Sequence, residues 1–325
     1  MRSRLMGIWC AIGVTVSLLL PLQASAQSFE QFLPSLLTQA KNEGVDAKLV
    51  DELGAQTKLF RRATVKQASY ASLEQYIPAM VSDAKVNAAT QLYQQHKDTF
   101  LKLSHQYGVQ PRFILAQWAM LGAIDQTGTG NGVYPLLSVV ASSAYEGDES
   151  AAREYVDGVK LIADGRYSFD TLLADRDGTI GPLKLRASML LGCAVDGDTD
   201  GTIDMWHSAL DIYASAASCL HANGWDDSQT WGRQVKAPAA LLADTGFAIQ
   251  KTFDAWQKAG VTRYDGGELP NRSDMQVSLL MPDGANGRQY MVYQNYRTLY
   301  ALHADHYLVL AMVHLSERLK KLGVE

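Results

Sequence analysis

Beyond residue 26 the chain has no apolar run long enough to cross a bilayer, which excludes a helical membrane span there. It shows no internal repeat and no low-complexity tract, so repeat architectures drop out as well. Cysteine is scarce. Cys10, Cys193 and Cys219 are the whole set, and none stands just after Ala26, which argues against a lipid anchor. Positive charge is also short: 29 Lys plus Arg against 34 Asp plus Glu give a formal charge of -5. Such a surface argues against nucleic acid and against anionic lipid as partners.

What is present begins with a leader. Arg2 and Arg4 make a basic start, Ile8 to Leu20 is mostly apolar, and Ala24-Ser25-Ala26 offers a small-residue cleavage site. Residues 1–26 therefore read as a secretory signal. Its loss removes two arginines and no acid, taking the charge from -5 to -7, and it removes Cys10. The mature chain is expected in the periplasm, soluble and without a membrane anchor. Its roughly 300 residues can bury a large core, in one multi-lobed domain or two. In an oxidising compartment Cys193 and Cys219 have two readings, a disulfide or two buried small apolar side chains.

The most informative stretch is Asp196-Gly-Asp-Thr-Asp-Gly-Thr-Ile-Asp204. Carboxylates at alternate positions followed by a glycine have the spacing of a loop that folds around a hard cation. The expected ligands are Asp196, Asp198, Asp200, Thr202 through its carbonyl, and Asp204, with Gly201 at the sharp turn. His207 occupies the twelfth position, where a two-oxygen carboxylate normally closes the site. A neutral imidazole is a poor ligand for calcium, so the expectation is a weak, structural Ca2+ site, roughly 10⁻⁴–10⁻³ M. The alternative is a solvated acidic turn between two helices.

Helical periodicity dominates from Gln27 to about Ser104, with Phe29, Phe32, Leu33, Leu36 and Leu37 on one apolar face and Leu92, Phe100, Leu101 and Leu103 on another. Gly44 and Gly54 look like helix ends. Tyr107-Gly-Val-Gln-Pro111 starts a further helix, and a Val/Ala/Ser helix reaches Tyr145. Met275 to Met281 and Gln289 to Tyr293 read as strands around the turn at 282–287. About Ala304 to Leu322 is helical again.

Taken together these pieces resemble the lytic murein transglycosylase B family of peptidoglycan-cleaving enzymes. The resemblance is carried by Val81-Ser82, Lys85-Val86, Tyr107-Gly108-Val109, Pro111, Gly132, Pro135, the acidic loop, Trp206, Gly224-Trp225 and Gln276-Val-Ser-Leu-Leu280. It implies a mainly α (α+β) fold. A helical lobe at 27–104 precedes a lysozyme-like core at 105–234 with the cation loop. A small β lobe at 235–300 and a C-terminal helix at 301–325 follow.

The family's chemistry rests on one glutamate in a Gly-x-Glu-Ser/Thr-x-aromatic-Gly turn. Kept protonated by an apolar pocket, it donates to the glycosidic oxygen and then takes the proton of the sugar's own 6-hydroxyl, giving an anhydro product. The matching turn here is Gly122-Ala-Ile-Asp-Gln-Thr-Gly128, which puts Ile124 at the glutamate position. An ungapped count from Tyr107 lands on Leu121 instead, and the three-residue difference implies an insertion in this helix. Neither side chain can transfer a proton. Asp125 is the one carboxylate inside the turn and the candidate replacement acid, shorter by one methylene. The family's substrate-contacting glutamine is matched by Lys184, and its active-site Tyr-Asn pair by Leu302-His303. Lys184, Tyr145, Asn295 and His303 are the candidate substrate contacts. His303 and His306, with Asp305 between them, can also be read as a metal pair or as an ordinary helix start.

Three functions follow. The first is a catalytically inactive relative that binds peptidoglycan glycan strands or a cell-wall enzyme. The second is an active transglycosylase using Asp125, and the third is a cation-dependent structural or adaptor protein.

Overall fold

A computed structural model describes residues 27–61, 70–121 and 132–325. Five helices come first: α1 (Phe29–Asn42), α2 (Ala47–Gln56), α3 (Leu73–Met80), α4 (Asp83–Gln95) and α5 (Lys97–Tyr107). Their starts are set by short polar caps. Ser28 and Gln31 form a reciprocal capping box on α1, Asp46 accepts the Leu49 N–H and Ser82 the Lys85 N–H. Two expectations are corrected here. Gly54 lies inside α2, where a β-carbon would come within 2.6 Å of the Leu37 side chain, so its role is close packing of α2 on α1. Leu101 is 43% exposed and lies off the apolar face that buries Phe100 and Leu103.

The middle of the chain contributes α6 (Pro111–Met120), β1 (Tyr134–Pro135), α7 (Leu136–Tyr145), α8 (Glu149–Ala163), β2 (Leu173–Ala174), α9 (Ala187–Cys193) and α10 (Ala209–Ala222). The central helix is α6. Every residue in it except Trp118 is buried, because α4, α5, α10 and the last helix of the chain all pack around it. Such a helix must be apolar on all sides, and Phe113-Ile-Leu-Ala116 is. Strands β1 and β2 pair antiparallel, Tyr134 opposite Ala174.

The remainder holds β3 (Gly232–Lys236), β4 (Lys251–Thr252), α11 (Phe253–Lys258), β5 (Thr262–Arg263), β6 (Gln276–Leu280), β7 (Gln289–Val292), α12 (Gln294–His303) and α13 (His306–Lys321). The five strands form one antiparallel sheet in the order β4-β6-β7-β3-β5. It begins at Gly232, slightly ahead of the expected lobe boundary. The sheet has its own apolar cluster around Trp256, Val277, Leu279 and Met291, separate from the large cluster that unites the helices. The C-terminal segment is two helices, broken at Ala304, whose φ of 52° puts a non-glycine residue in the left-handed region. No helix among the described residues is long and apolar enough to cross a membrane.

Candidate functional site

Helix α6 starts with Pro111 in its first turn, after Gly108 ends α5 in a left-handed conformation. It then runs without interruption to Met120, with the Leu121 N–H bonded to the Gln117 carbonyl. An unbroken ladder is what any regular helix shows, with or without added residues, so both placements of the glutamate position stand: Ile124 by the flanking glycines and Leu121 by the ungapped count from Tyr107. Leu121 is partly buried and packs against the main core. Ile124 and Asp125 lie outside the described residues.

Polar groups gather around the end of α6. The Gln117 side chain is buried, and its Oε1 is 3.4 Å from His303 Nε2 at the end of α12. Gln117 Nε2 has no partner among the described residues. Burial pushes the His303 imidazole down to about 4, with Arg186 nearby adding to the effect, so it is neutral at pH 7. With the amide oriented this way, His303 carries its proton on Nε2 and donates to Gln117. Arg186 donates to the Ala301 carbonyl at 3.5 Å and lies 4.0 Å from Glu154. Glu154 in turn accepts from the Ser188 N–H and Oγ at 2.9 and 2.7 Å, which holds the start of α9. This cluster can hydrogen-bond a ligand. Its acid, Glu154, accepts two hydrogen bonds from Ser188, with the Arg186 guanidinium 4.0 Å away.

Lys184 sits in the tight turn between Gly181 and Leu185, with φ at 52°, and its ammonium is paired with Asp175. Both line a cavity of about 280 Å3 that also touches the ring of Tyr134. The structure thus places Lys184 at a polar groove.

The other two expected contacts are corrected. Asn295 is fully buried; its Oδ1 accepts the Asp226 N–H and its Nδ2 donates to the Asp226 and Gln229 carbonyls, at 2.8, 2.8 and 3.1 Å. With those groups engaged it serves as a brace between α12 and the 226–229 turn. Tyr145 donates to the Gln27 carbonyl at 2.7 Å and packs against the rings of Phe29 and Phe32. It belongs to the seam between α7 and α1. The His-x-x-His reading also resolves: Asp305 accepts the Tyr307 and Leu308 N–H groups as the cap of α13, and His306 Nδ1 meets Tyr296 Oη.

At the acidic loop the converging carboxylates are Asp196, Asp198 and Asp211, whose oxygens lie within 4.8 Å of one another. Three oxygen donors without His or Cys suit a hard cation, and calcium fits them. Asp196 accepts the N–H groups of Thr199, Asp200 and Gly201, and that bonding, led by Gly201, holds its carboxyl below the usual range. Gly201 has φ +94°, which the turn requires. Asp204 is a correction. Burial raises its carboxyl, but the Trp206 and His207 N–H groups and the His207 ring outweigh this and lower it. It caps the next turn. Asp200 bonds Thr202 and is likewise outside the converging set.

Asp211, missed in the sequence, is buried and accepts the Gly197 and Asp204 N–H groups at 2.7 Å each. From the first turn of α10 it brings a third carboxylate beside Asp196 and Asp198, whereas His207 at the twelfth position offers none. A disulfide, Cys193–Cys219, joins α9 to α10 across this loop with Cα atoms 4.9 Å apart.

A family profile described as the transglycosylase SLT domain matches residues 28–317. The chain belongs to that family. SltB3 from Pseudomonas aeruginosa, in complex with NAG-anhNAM-pentapeptide, superposes with a TM-score of 0.73 at 27% identity, covering 90% of this chain and 80% of that one. The Escherichia coli lytic transglycosylase SLT35 in complex with calcium gives 0.70 at 20% identity, over 90% and 94%. SltB1 from Pseudomonas aeruginosa gives 0.73 at 15% identity, over 89% and 97%. The last two share the fold. No curated protein matches the sequence.

Proposed function

We propose that this chain is a transglycosylase-fold protein of the periplasm that binds peptidoglycan glycan strands without cleaving them. The observation that carries the reading is the end of α6. Where the resemblance expects a buried proton donor, the flanking glycines place Ile124 and the ungapped count from Tyr107 places Leu121, and the polar groups described at the end of α6 are Gln117 and a neutral His303. Glycoside cleavage through an anhydro product needs a carboxyl that first gives and then takes a proton. Neither isoleucine nor leucine can, and an imidazole held near 4 is already deprotonated at pH 7. A groove lined by Lys184, Asp175 and Tyr134 remains to hold glycan. The acidic loop would hold Ca2+ through Asp196, Asp198 and Asp211, neutralising three clustered carboxylates and fixing the junction of α9 and α10.

The experiment is a digest of purified sacculi by the exported protein, read by mass spectrometry. No anhydro-muropeptides are expected, while a sacculus pull-down retains the protein. Anhydro products from wild type that vanish in Asp125→Asn would establish the active alternative. Absence from the pull-down would favour the adaptor reading.

A further inference from the structure

Beside the cation loop lies a second cavity, of about 490 Å3, apart from the Lys184 groove. Tyr167, Leu173, Ile203 and Trp206 supply its apolar walls, and Arg166 and His207 also line it. The Tyr167 and Trp206 rings meet edge to face, 5.6 Å apart at 80°, so the cavity has two apolar faces nearly at right angles. Tyr167 Oη donates to the Ile203 carbonyl at 2.7 Å, which fastens one wall to the other. Trp206 Nε1 is buried without a hydrogen-bond partner among the described residues, the kind of donor that a ligand oxygen or ordered water takes up.

The chemistry favours a neutral ring with an apolar face and a hydroxyl or amide edge. Volumes of about 300–1,000 Å3 with apolar walls and a few polar groups are typical of small-ligand sites. Arg166 is paired with Asp164, and His207 with Asp204, so neither is a bare charge seeking a counter-ion. Continuity supplies the occupant. Leu173 of β2 lines this cavity, and Asp175, two residues on, lines the Lys184 groove. Two residues of extended chain are about 7 Å, a step that one glycan strand can bridge. Of the wall residues, Ile203 lies within the cation loop and Trp206 two residues beyond it, so whatever orders that loop orders the wall.

We propose that this cavity is a saccharide subsite extending the Lys184 groove, and that cation binding at Asp196, Asp198 and Asp211 sets its affinity. The inference rests on the glycan-binding reading above. The test is an NMR titration of the exported chain with tetra-N-acetylchitotetraose, watching the indole N–H of Trp206, assigned by its loss in Trp206→Phe. Asp170→Trp, at an exposed residue lining the cavity, fills the space without emptying the core. The Trp206 signal is expected to move, and binding to weaken about tenfold in Asp170→Trp and again on chelation. If wild type is retained on sacculi but the Trp206 signal stays fixed, or Asp170→Trp binds equally, the subsite is refuted while the broader reading stands. Equal affinity with and without chelator refutes the coupling. Failure of wild type both on sacculi and in the titration refutes both readings.

Discussion

His303 and His314 are both held down to about 4 by burial, with Arg186 adding to the effect at the first and Arg288 at the second. In the unfolded chain both titrate near 6.5. Between those values the unfolded state binds more protons, so stability is complete above about pH 6.5 and declines as pH falls toward 4. Calorimetry at pH 7 and pH 5 should show a lower Tm at pH 5. The drop should shrink in His314→Gln, although this variant loses the bond to Tyr290 Oη at 3.0 Å. Equal drops in both proteins would refute the assignment. Asp211→Asn should weaken calcium binding about 10–100-fold by calorimetric titration, whereas Asp204→Asn, whose carboxylate serves a turn, should leave it nearly unchanged. The sequence displayed Asp196 and Asp198 plainly. It hid Asp211, because a twelve-residue template ends at His207 and the third carboxylate arrives from the next helix.

The disulfide closes a 26-residue separation between α9 and α10. Cross-linking a loop of that size restricts the unfolded chain by about 3–4 kcal/mol. Cys193→Ser and Cys219→Ser should each lower the denaturation free energy by an amount of that order, and reduced wild type should match them. Whether two cysteines on flanking helices pair depends on how those helices meet, which periodicity does not encode. The Gly54 position was misread for a similar reason. A glycine ending a helix and a glycine admitting a neighbour look alike until Leu37 is seen against it. Gly54→Val should cost about 1–3 kcal/mol, read from the urea midpoint. The strands around 282–287 were legible because both β6 and β7 are dense in apolar residues between turn residues.

Across the molecule, the β lobe has its own core but is tied to the helices at its turn. Asp283 accepts the Leu73 N–H of α3 at 2.7 Å and the Tyr307 hydroxyl of α13, and Arg288 meets Glu74 at 2.9 Å. Asp283→Ala leaves a part-buried donor unmet and should cost about 1–3 kcal/mol. It should also speed hydrogen exchange in α3 more than in β3. From sequence this aspartate was one residue of a turn; its partners lie at 73 and 307, distances along the chain that no local pattern spans. The acidic loop, meanwhile, is bounded by a sulfur bridge on its flanks and by carboxylates at its centre. A batch made in a reducing, chelated medium has neither fastener engaged. Proteases should then nick it between residues 194 and 208, and a preparation's storage life should track its oxidation and its supply of divalent ions.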